Sequence, residues 1–237
     1  MQTVSTLDYG RFEALTFDCY GTLIDWEAGL MAAFGPILAA HGITRDEDDV
    51  LTRFASYEAA AEAGPYQSYR HVLAAGLRGV AGELGFEPSD EEAVAFSGSV
   101  VDWPAFPDSS AALARLKSRY RLGVITNCDD DLFAASNERL GVEFDWIVTA
   151  QQVRSYKPAE KGFLAAFGRI GLPRDRILHV AQSLFHDHEP AQRLGLTSVW
   201  IDRRQGRPGS GATPAATARP HATFPDMASF AAAAVPG

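Results

Sequence analysis

Three apolar runs in the chain each end in polar side chains that could hold a ligand and act on it. Asp18 ends the first run, Thr126 and Asn127 end the second, and Gln182 ends the third. A carboxylate, a hydroxyl and amides together offer hydrogen-bond acceptors and donors. Their joint use requires that the fold bring the ends of these runs to one place.

The three runs are typical of buried strands, and stretches with helical periodicity separate them. The predicted strands are 14–18, 120–127, 176–182, 197–202 and 222–224, and the predicted helices between them include 109–118, 160–170 and 189–194. This alternation predicts an α/β fold with a doubly wound, Rossmann-like parallel sheet. Because such sheets bind ligands beyond the carboxyl ends of their strands, we expect Asp18, Thr126 and the residues after Gln182 to share one cleft.

The interval 24–103 differs from the rest of the chain. It is rich in Ala, Glu and Arg at helical spacing and contains no convincing buried strand. We therefore interpret it as a helical cap domain inserted after the first strand, with 1–23 and 104–237 forming the α/β core domain. The polar, Gly/Pro-rich stretch 205–220 is expected to be a surface loop.

Composition and charge restrict the partners of the protein. The 237 residues are 46% hydrophobic and 22% charged, which is typical of a soluble globular protein. The net charge of −9 disfavours nucleic acid and anionic membranes as partners. No apolar run is long enough to span a membrane, and no export signal is apparent. The cysteines are Cys19 and Cys128, so we expect a reducing, cytoplasmic compartment and two reduced thiols at the ends of adjacent strands.

Four ordered motifs resemble those of the haloacid dehalogenase superfamily, and the resemblance covers about 15–203. The motifs are Phe17-Asp18-Cys19-Tyr20-Gly21-Thr22-Leu23, Thr126-Asn127, Tyr156-Lys157-Pro158 and Ser183-Leu184-Phe185-His186-Asp187. The Asp-x-Tyr-Gly-Thr form of the first motif is most similar to that of the L-2-haloacid dehalogenase branch.

The resemblance implies a covalent mechanism with Asp18 as the nucleophile. Thr22 and Thr126 would hydrogen-bond its other oxygen. Lys157 would offset the negative charge where two anions meet. Asp187 would deprotonate the water that hydrolyses the resulting ester.

Two departures from the superfamily pattern favour cleavage of a carbon–halogen bond. Phosphatase relatives usually carry a second Asp two positions after the nucleophile, where this chain has Tyr20, and a phenol with a pKa of about 10 is a poor proton donor to an alkoxide. Chloride or bromide leaves without a proton. Relatives that hold Mg²⁺ have an acid where this chain has Gln182, and an amide is a weaker ligand for that ion. We therefore expect no metal and no other cofactor.

A haloacid carries a carboxylate, so an acidic protein needs a local cation to hold it. In the dehalogenases this cation is an arginine early in the cap, followed five positions later by Glu. Arg53 and Glu58 match that spacing, and Arg45 is the second candidate. The expected substrate-binding residues are Tyr20, Arg53, Thr126, Asn127 and Ser183.

These expectations combine into hydrolytic dehalogenation of short 2-haloalkanoic acids to 2-hydroxy acids through an ester on Asp18. Two alternatives stay open, namely a phosphate or phosphonate hydrolase of the same superfamily and a non-catalytic member that keeps the fold. The expected ligand is a small anionic haloacid, with neither nucleic acid nor membrane as partner. A homodimer is consistent with the resemblance and with the frequency of dimers among soluble proteins.

Overall fold

The computed structural model describes residues 7–205 and 212–236, and a six-stranded sheet lies at its centre. The strands are β1 (Ala14–Phe17), β2 (Arg121–Thr126), β3 (Trp146–Thr149), β4 (Ile177–Ala181), β5 (Thr197–Ile201) and β6 (Ala222–Phe224). All neighbouring strands are parallel, in the order β3-β2-β1-β4-β5-β6. The predicted doubly wound α/β fold is confirmed. The chain order changes direction at β1, and ligands bind at such a switch point.

β3 is the strand that the sequence pattern did not predict. It is four residues long and lies at the edge of the sheet, with Trp146 and Ile147 only half-buried. A short edge strand lacks the continuous apolar run that identified the buried strands. The other strands lie where the sequence places them, within one or two residues.

Four helices lie between β1 and residue 103. The described part of the chain contains six more, which follow in sequence and alternate with β2 to β6. The first four are α1 (Trp26–Ala40), α2 (Glu47–Glu62), α3 (Tyr69–Leu84) and α4 (Asp90–Gly98). The others are α5 (Ser109–Lys117), α6 (Asp130–Leu140), α7 (Ala150–Val153), α8 (Lys161–Ile170), α9 (Glu189–Arg193) and α10 (Met227–Ala234). A π-helical turn, Leu184–His188, connects β4 to α9. None of the described helices is long and apolar enough to cross a membrane.

α2 places acidic side chains on its packed face. The helix begins after Asp46, whose side chain accepts a hydrogen bond from a backbone N–H of the first turn and so caps the helix. Val50, Phe54 and Glu58 follow one another at intervals of four residues and are all buried. Because residues four apart share a helix face, Glu62 continues the same stripe.

The predicted surface loop 205–220 is only partly described, since 206–211 lie outside the described residues. Within the described part, the expectation of a surface location is wrong at Ala212 and Thr213, which are both buried. The backbone N–H of Ala212 donates to the carboxylate of Glu27 on α1, which brings this segment onto the helices. Thr213 reaches the cavity next to Asp18.

Candidate active site

Asp18 follows β1 directly and is almost completely buried, with 6% of its surface exposed. One carboxylate oxygen, Oδ2, accepts a 2.6 Å hydrogen bond from the hydroxyl of Thr22. The other, Oδ1, lies 2.7 Å from Nζ of Lys157. Gly21 has a φ of 87°, a conformation that side chains rarely adopt, and the turn it forms brings Thr22 back to Asp18. Burial raises the pKa of Asp18, and the ammonium of Lys157 opposes that shift.

Lys157 lies between two carboxylates. Its Nζ donates to Oδ1 of Asp18 at 2.7 Å, to Oδ1 of Asp187 at 2.8 Å and to the carbonyl of Ile125 at 3.0 Å. An ammonium has three N–H groups, so these three contacts use all of them. Burial alone would lower the pKa of Lys157, but the two carboxylates outweigh burial and hold it above its usual range. Lys157 is therefore charged and fixed in place.

Asp187 is fully buried and lies in the π-helical turn after β4. Its Oδ1 also contacts Nε2 of His179 at 3.0 Å, and Nδ1 of His179 lies 2.9 Å from the hydroxyl of Thr16, its register partner on β1. Burial would raise the pKa of Asp187, but Lys157 and His179 hold it well below its usual range. Oδ2 has no hydrogen-bond partner among the described residues.

Asn127 fixes the backbone of Lys157. Its Oδ1 accepts from the backbone N–H of Lys157 at 2.7 Å, and its Nδ2 donates to the carbonyl of the same residue at 3.1 Å. Ser183 accepts a hydrogen bond from the backbone N–H of His186 through its Oγ at 2.9 Å, and so caps the turn that carries Asp187. Asn127 and Ser183 therefore position Lys157 and Asp187 beside Asp18.

The prediction that Thr126 hydrogen-bonds to Asp18 is wrong. The hydroxyl of Thr126 is buried and makes no hydrogen bond with any described residue, and Thr22 occupies the expected place beside the carboxylate. Thr22 can do so because its Oγ also accepts from the backbone N–H of Gln182 at 2.9 Å. Thr126 thus has a hydroxyl available at the carboxyl end of β2.

Arg53 does not lie where the sequence interpretation placed it. It is on α2, where its Nε donates to Asp49 at 3.0 Å and its guanidinium also pairs with Glu83 of α3. It does not line the cavity next to Asp18. Phe54 lies on the packed face of α2, and successive residues of an α-helix are rotated by about 100° about the helix axis. Arg53, the residue before Phe54, is therefore turned away from that face. Arg45 is exposed and bonds to a neighbouring backbone carbonyl.

The cavity next to Asp18 is lined by residues from β-strand ends and from the helices that precede residue 103. Lys157 is the only lysine or arginine in this lining within the described chain. Two acids that the sequence interpretation did not assign to the site, Glu58 and Glu62, line it as well. Tyr69 of α3 donates its hydroxyl to Glu58 at 2.9 Å, and Asn127 donates to both oxygens of Glu62 at 3.2 and 3.1 Å.

Burial dominates the ionisation of both acids. It raises the pKa of Glu58 to about 8, with the hydroxyl of Tyr69 acting in the opposite direction. It also raises the pKa of Glu62 well above its usual range, helped by the nearby Glu58. The spacing of four residues between the acids could have signalled a common helix face. The sequence also contained an indication of His179, because this polar residue interrupts the otherwise apolar run of β4.

The fold and this arrangement of Asp18, Lys157 and Asp187 define a haloacid dehalogenase-like hydrolase. Residues 12–195, more than half of the chain, match the family described as haloacid dehalogenase-like hydrolase, and the chain belongs to that family.

Curated relatives include an (S)-2-haloacid dehalogenase of Pseudomonas putida, 24% identical over 83% of this chain and 87% of its own. Another, from Pseudomonas fluorescens, is 26% identical over 83% and 87% of the two chains. The fold matches an L-2-haloacid dehalogenase from Xanthobacter autotrophicus with a TM-score of 0.78 at 18% identity, over 93% of this chain and 97% of the other.

The donors beside Asp18 do not fit a magnesium ion of the kind held by phosphatase relatives. Gln182 offers an amide where those proteins have an acid, and Lys157 already bridges Asp18 and Asp187. No three His, Cys, Asp or Glu side chains of the described residues form a group that could hold a metal ion. A hard dication needs several oxygen ligands with negative charge among them.

Proposed function

We propose that this hydrolase cleaves the carbon–halogen bond of short 2-haloalkanoic acids and releases 2-hydroxy acids. The observation that carries the proposal is the state of Tyr20, the residue at the position of the phosphatase acid. Its hydroxyl is engaged with Ser136 and Cys128, and burial raises its pKa well above the usual value. An alkoxide leaving group would lack a proton donor at this position, whereas a halide needs none.

In the first half of the reaction, a carboxylate oxygen of Asp18 attacks the carbon that bears the halogen. The new carbon–oxygen bond forms as the carbon–halogen bond breaks, and the bonding pair leaves with the halide. Lys157 offsets the charge of the carboxylate and of the approaching anion, while Thr22 holds the second oxygen of Asp18. Attack opposite the halogen inverts the configuration at carbon.

In the second half, water attacks the carbonyl carbon of the Asp18 ester and passes a proton to Asp187. Oδ2 of Asp187 is available for that proton because Lys157 and His179 contact only Oδ1. The lowered pKa keeps Asp187 ionised at neutral pH, so the base is in the required state before water attacks. The bond between the carbonyl carbon and the substrate oxygen then breaks, and that oxygen takes the proton from Asp187 and leaves as the hydroxyl of the hydroxy acid. The carboxyl group of Asp18 releases the second proton of the water to solvent, which restores both carboxylates.

The direct test is intact-mass spectrometry after mixing the protein with excess 2-bromopropionate and quenching within one turnover. We expect bromide release and a mass increase that peptide mapping assigns to Asp18. The control is Asp18→Asn, which keeps the shape of the side chain and should give neither product while its circular dichroism stays unchanged.

Two other outcomes would select the alternatives. Phosphate release from a panel of phosphate esters with Mg²⁺, without bromide release from haloacids, would identify a phosphatase. The absence of any adduct with activated haloacids, together with the absence of phosphate release, would identify a non-catalytic member.

A further inference from the structure

His179 lies in the middle of β4, an otherwise apolar strand, and its imidazole contacts other side chains through both ring nitrogens. Nε2 lies 3.0 Å from Oδ1 of Asp187, and Nδ1 lies 2.9 Å from the hydroxyl of Thr16. An ionised carboxylate only accepts hydrogen bonds, so Nε2 carries a hydrogen and donates it to Asp187. When the ring is neutral, Nδ1 is left to accept from the hydroxyl of Thr16.

The sheet fixes the position of this imidazole. Thr16 and His179 are register partners on the neighbouring strands β1 and β4. The ring of Phe163 on α8 packs edge to face against the imidazole, with ring centroids 5.1 Å apart. All three side chains are buried, so water does not compete for the ring nitrogens. The donor at Nε2 is therefore placed by the strands and not by the turn that contains Asp187.

Two donors from different parts of the fold fix the orientation of the Asp187 carboxylate. Its Oδ1 accepts from Nζ of Lys157 at 2.8 Å and from Nε2 of His179 at 3.0 Å. The torsion between a carboxylate and its Cβ is soft, so a carboxylate held by one donor can turn and exchange the places of its oxygens. The second donor restricts that rotation. It keeps Oδ2, the oxygen assigned to the attacking water, on the side away from His179.

The two donors differ in how far they depend on Asp18. Nζ of Lys157 also contacts Asp18 at 2.7 Å, whereas the hydrogen bonds of His179 within the described chain go to Asp187 and Thr16. Formation of the ester removes the charge of Asp18, and with it one of the two attractions that place the ammonium of Lys157. The contact between His179 and Asp187 involves neither Asp18 nor the substrate, so ester formation leaves it in place.

We propose that His179 is a positioning residue for hydrolysis of the ester, because it holds Oδ2 of Asp187 toward the attacking water after Asp18 has lost its charge. The inference rests on the proposed function, since it concerns an intermediate of that reaction. His179 neither touches the substrate nor takes up a proton in this role. Alkylation of Asp18 does not use Asp187 as a base, so the first half of the reaction does not depend on the contact between His179 and Asp187.

The first experiment replaces His179 by two amides of different reach. In His179→Gln the amide nitrogen comes close to the position of Nε2 and can donate to Asp187. In His179→Asn the shorter side chain places its amide near the position of Nδ1, where it reaches Thr16 but not Asp187. The two variants therefore share a polar group in the core and differ in the hydrogen bond to the base.

Rapid-quench intact-mass spectrometry follows the Asp18 ester through a single turnover of 2-bromopropionate in the wild type and both variants. We expect alkylation in both variants to stay within about threefold of the wild-type rate. Hydrolysis of the ester should slow by about tenfold or more in His179→Asn, so that the ester accumulates, because a hydrogen bond to a charged group has been lost. His179→Gln should restore most of the hydrolysis rate.

The second experiment uses the wild-type protein, so it does not depend on whether a variant folds. Nitrogen-15 NMR of protein labelled at histidine reports which ring nitrogen carries a hydrogen, and the contact with the ring of Phe163 assigns the signal of His179. We expect a hydrogen on Nε2 of His179. A hydrogen on Nδ1 alone would overturn the proposal, because Nε2 could then not donate to Asp187.

The outcomes distinguish this inference from the proposed function. If the wild type forms the ester but its lifetime is the same in His179→Asn and His179→Gln, the positioning role is overturned and dehalogenation stands. The same holds if His179→Asn slows alkylation as much as hydrolysis, which is the pattern of a residue that only supports the core. If the wild type forms no ester on Asp18, the proposed function fails and the positioning role fails with it.

Discussion

The hydroxyl of Tyr20 lies 3.0 Å from Oγ of Ser136 on α6, so the phenol is tied to the protein rather than available to a leaving group. Its ring stacks on Tyr69 with centroids 6.5 Å apart and meets Trp103 edge to face at 5.6 Å. Tyr20 thus connects the end of β1 to the helices that precede residue 103. The contact suggests a packing role at a position where phosphatase relatives carry a catalytic acid.

We predict that Tyr20→Phe keeps kcat for bromide release within about threefold of the wild type, because a general acid contributes about 10²–10⁴-fold and Tyr20 is not acting as one. The lost hydrogen bond to Ser136 should lower the free energy of unfolding by about 1 kcal/mol. Steady-state kinetics and urea unfolding measure the two effects. A hundredfold loss of kcat in a stably folded variant would contradict the assignment of a halide leaving group.

We predict that Asp187→Asn and Lys157→Ala block different halves of the reaction. Asp187→Asn should still be alkylated at Asp18, and the ester should accumulate because the base for water is absent. Lys157→Ala should suppress alkylation itself, because two buried carboxylates and an anionic substrate would then meet without a cation. Time-resolved intact-mass spectrometry after mixing with 2-bromopropionate follows the ester in both variants.

A single turnover of the wild type in ¹⁸O water provides the control for that pathway. The label should enter the carboxylate of Asp18 first, because water attacks the ester carbonyl. Label that appears at once in the hydroxy acid would mean that water attacks the substrate carbon directly and that Asp18 acts as a base.

We predict that Glu58 makes the protein less stable as the pH rises from about 5 to 8. Its pKa is raised from 4.5 to about 8 by burial, so in this range the folded protein keeps a proton that the unfolded chain releases. Stability from this group is fully present below pH 4.5 and is lost as the pH rises through the folded pKa of about 8. The slope is at most about 1.4 kcal/mol per pH unit.

Urea unfolding of the wild type and of Glu58→Gln at pH 5, 6.5, 8 and 9 tests this dependence. The difference in free energy of unfolding between the two proteins should shrink from pH 5 to 8 and then stay constant. Taking the difference removes the contributions of groups that Glu58 does not influence. Because Glu58 raises the pKa of Glu62, the difference reports these two neighbouring acids together. A difference that is independent of pH would contradict a protonated Glu58 in the folded protein.

We predict that Gly76→Ala destabilises the protein by roughly 1–3 kcal/mol. A Cβ at this position of α3 would lie 2.6 Å from the ring of Phe54, which is fully buried on α2 and cannot move aside freely. The matched control is Gly82→Ala on the same helix, where a Cβ meets no described atom within 4 Å. That change should stabilise the protein by roughly 0.5–1 kcal/mol through helix propensity. Urea unfolding that shows equal effects would contradict close packing of α2 against α3.

Much of the site could be predicted from the sequence because its residues follow buried strands. Asp18 ends the apolar run of β1 and Asp187 lies shortly after β4. In a parallel sheet the carboxyl ends of neighbouring strands lie at one edge. Polar residues at these positions therefore lie close together, and the packing of the intervening helices does not change that. The motif order added Lys157, which the structure places between the two carboxylates.

The amino-acid sequence by itself therefore determined the alternation of strands and helices and the residues at the strand ends, since both follow from local periodicity. The order of the strands, and with it the switch point at β1, came from the tertiary structure. Only the tertiary structure decided which side chains of the helices before residue 103 lie in the cavity next to Asp18. Arg53 and Glu58 lie on the same helix, and the packing of Phe54 against α3 turned the acid inward and the arginine toward Glu83. Only one face of a helix is buried, and contacts with residues distant in the sequence determine which side chains lie on that face.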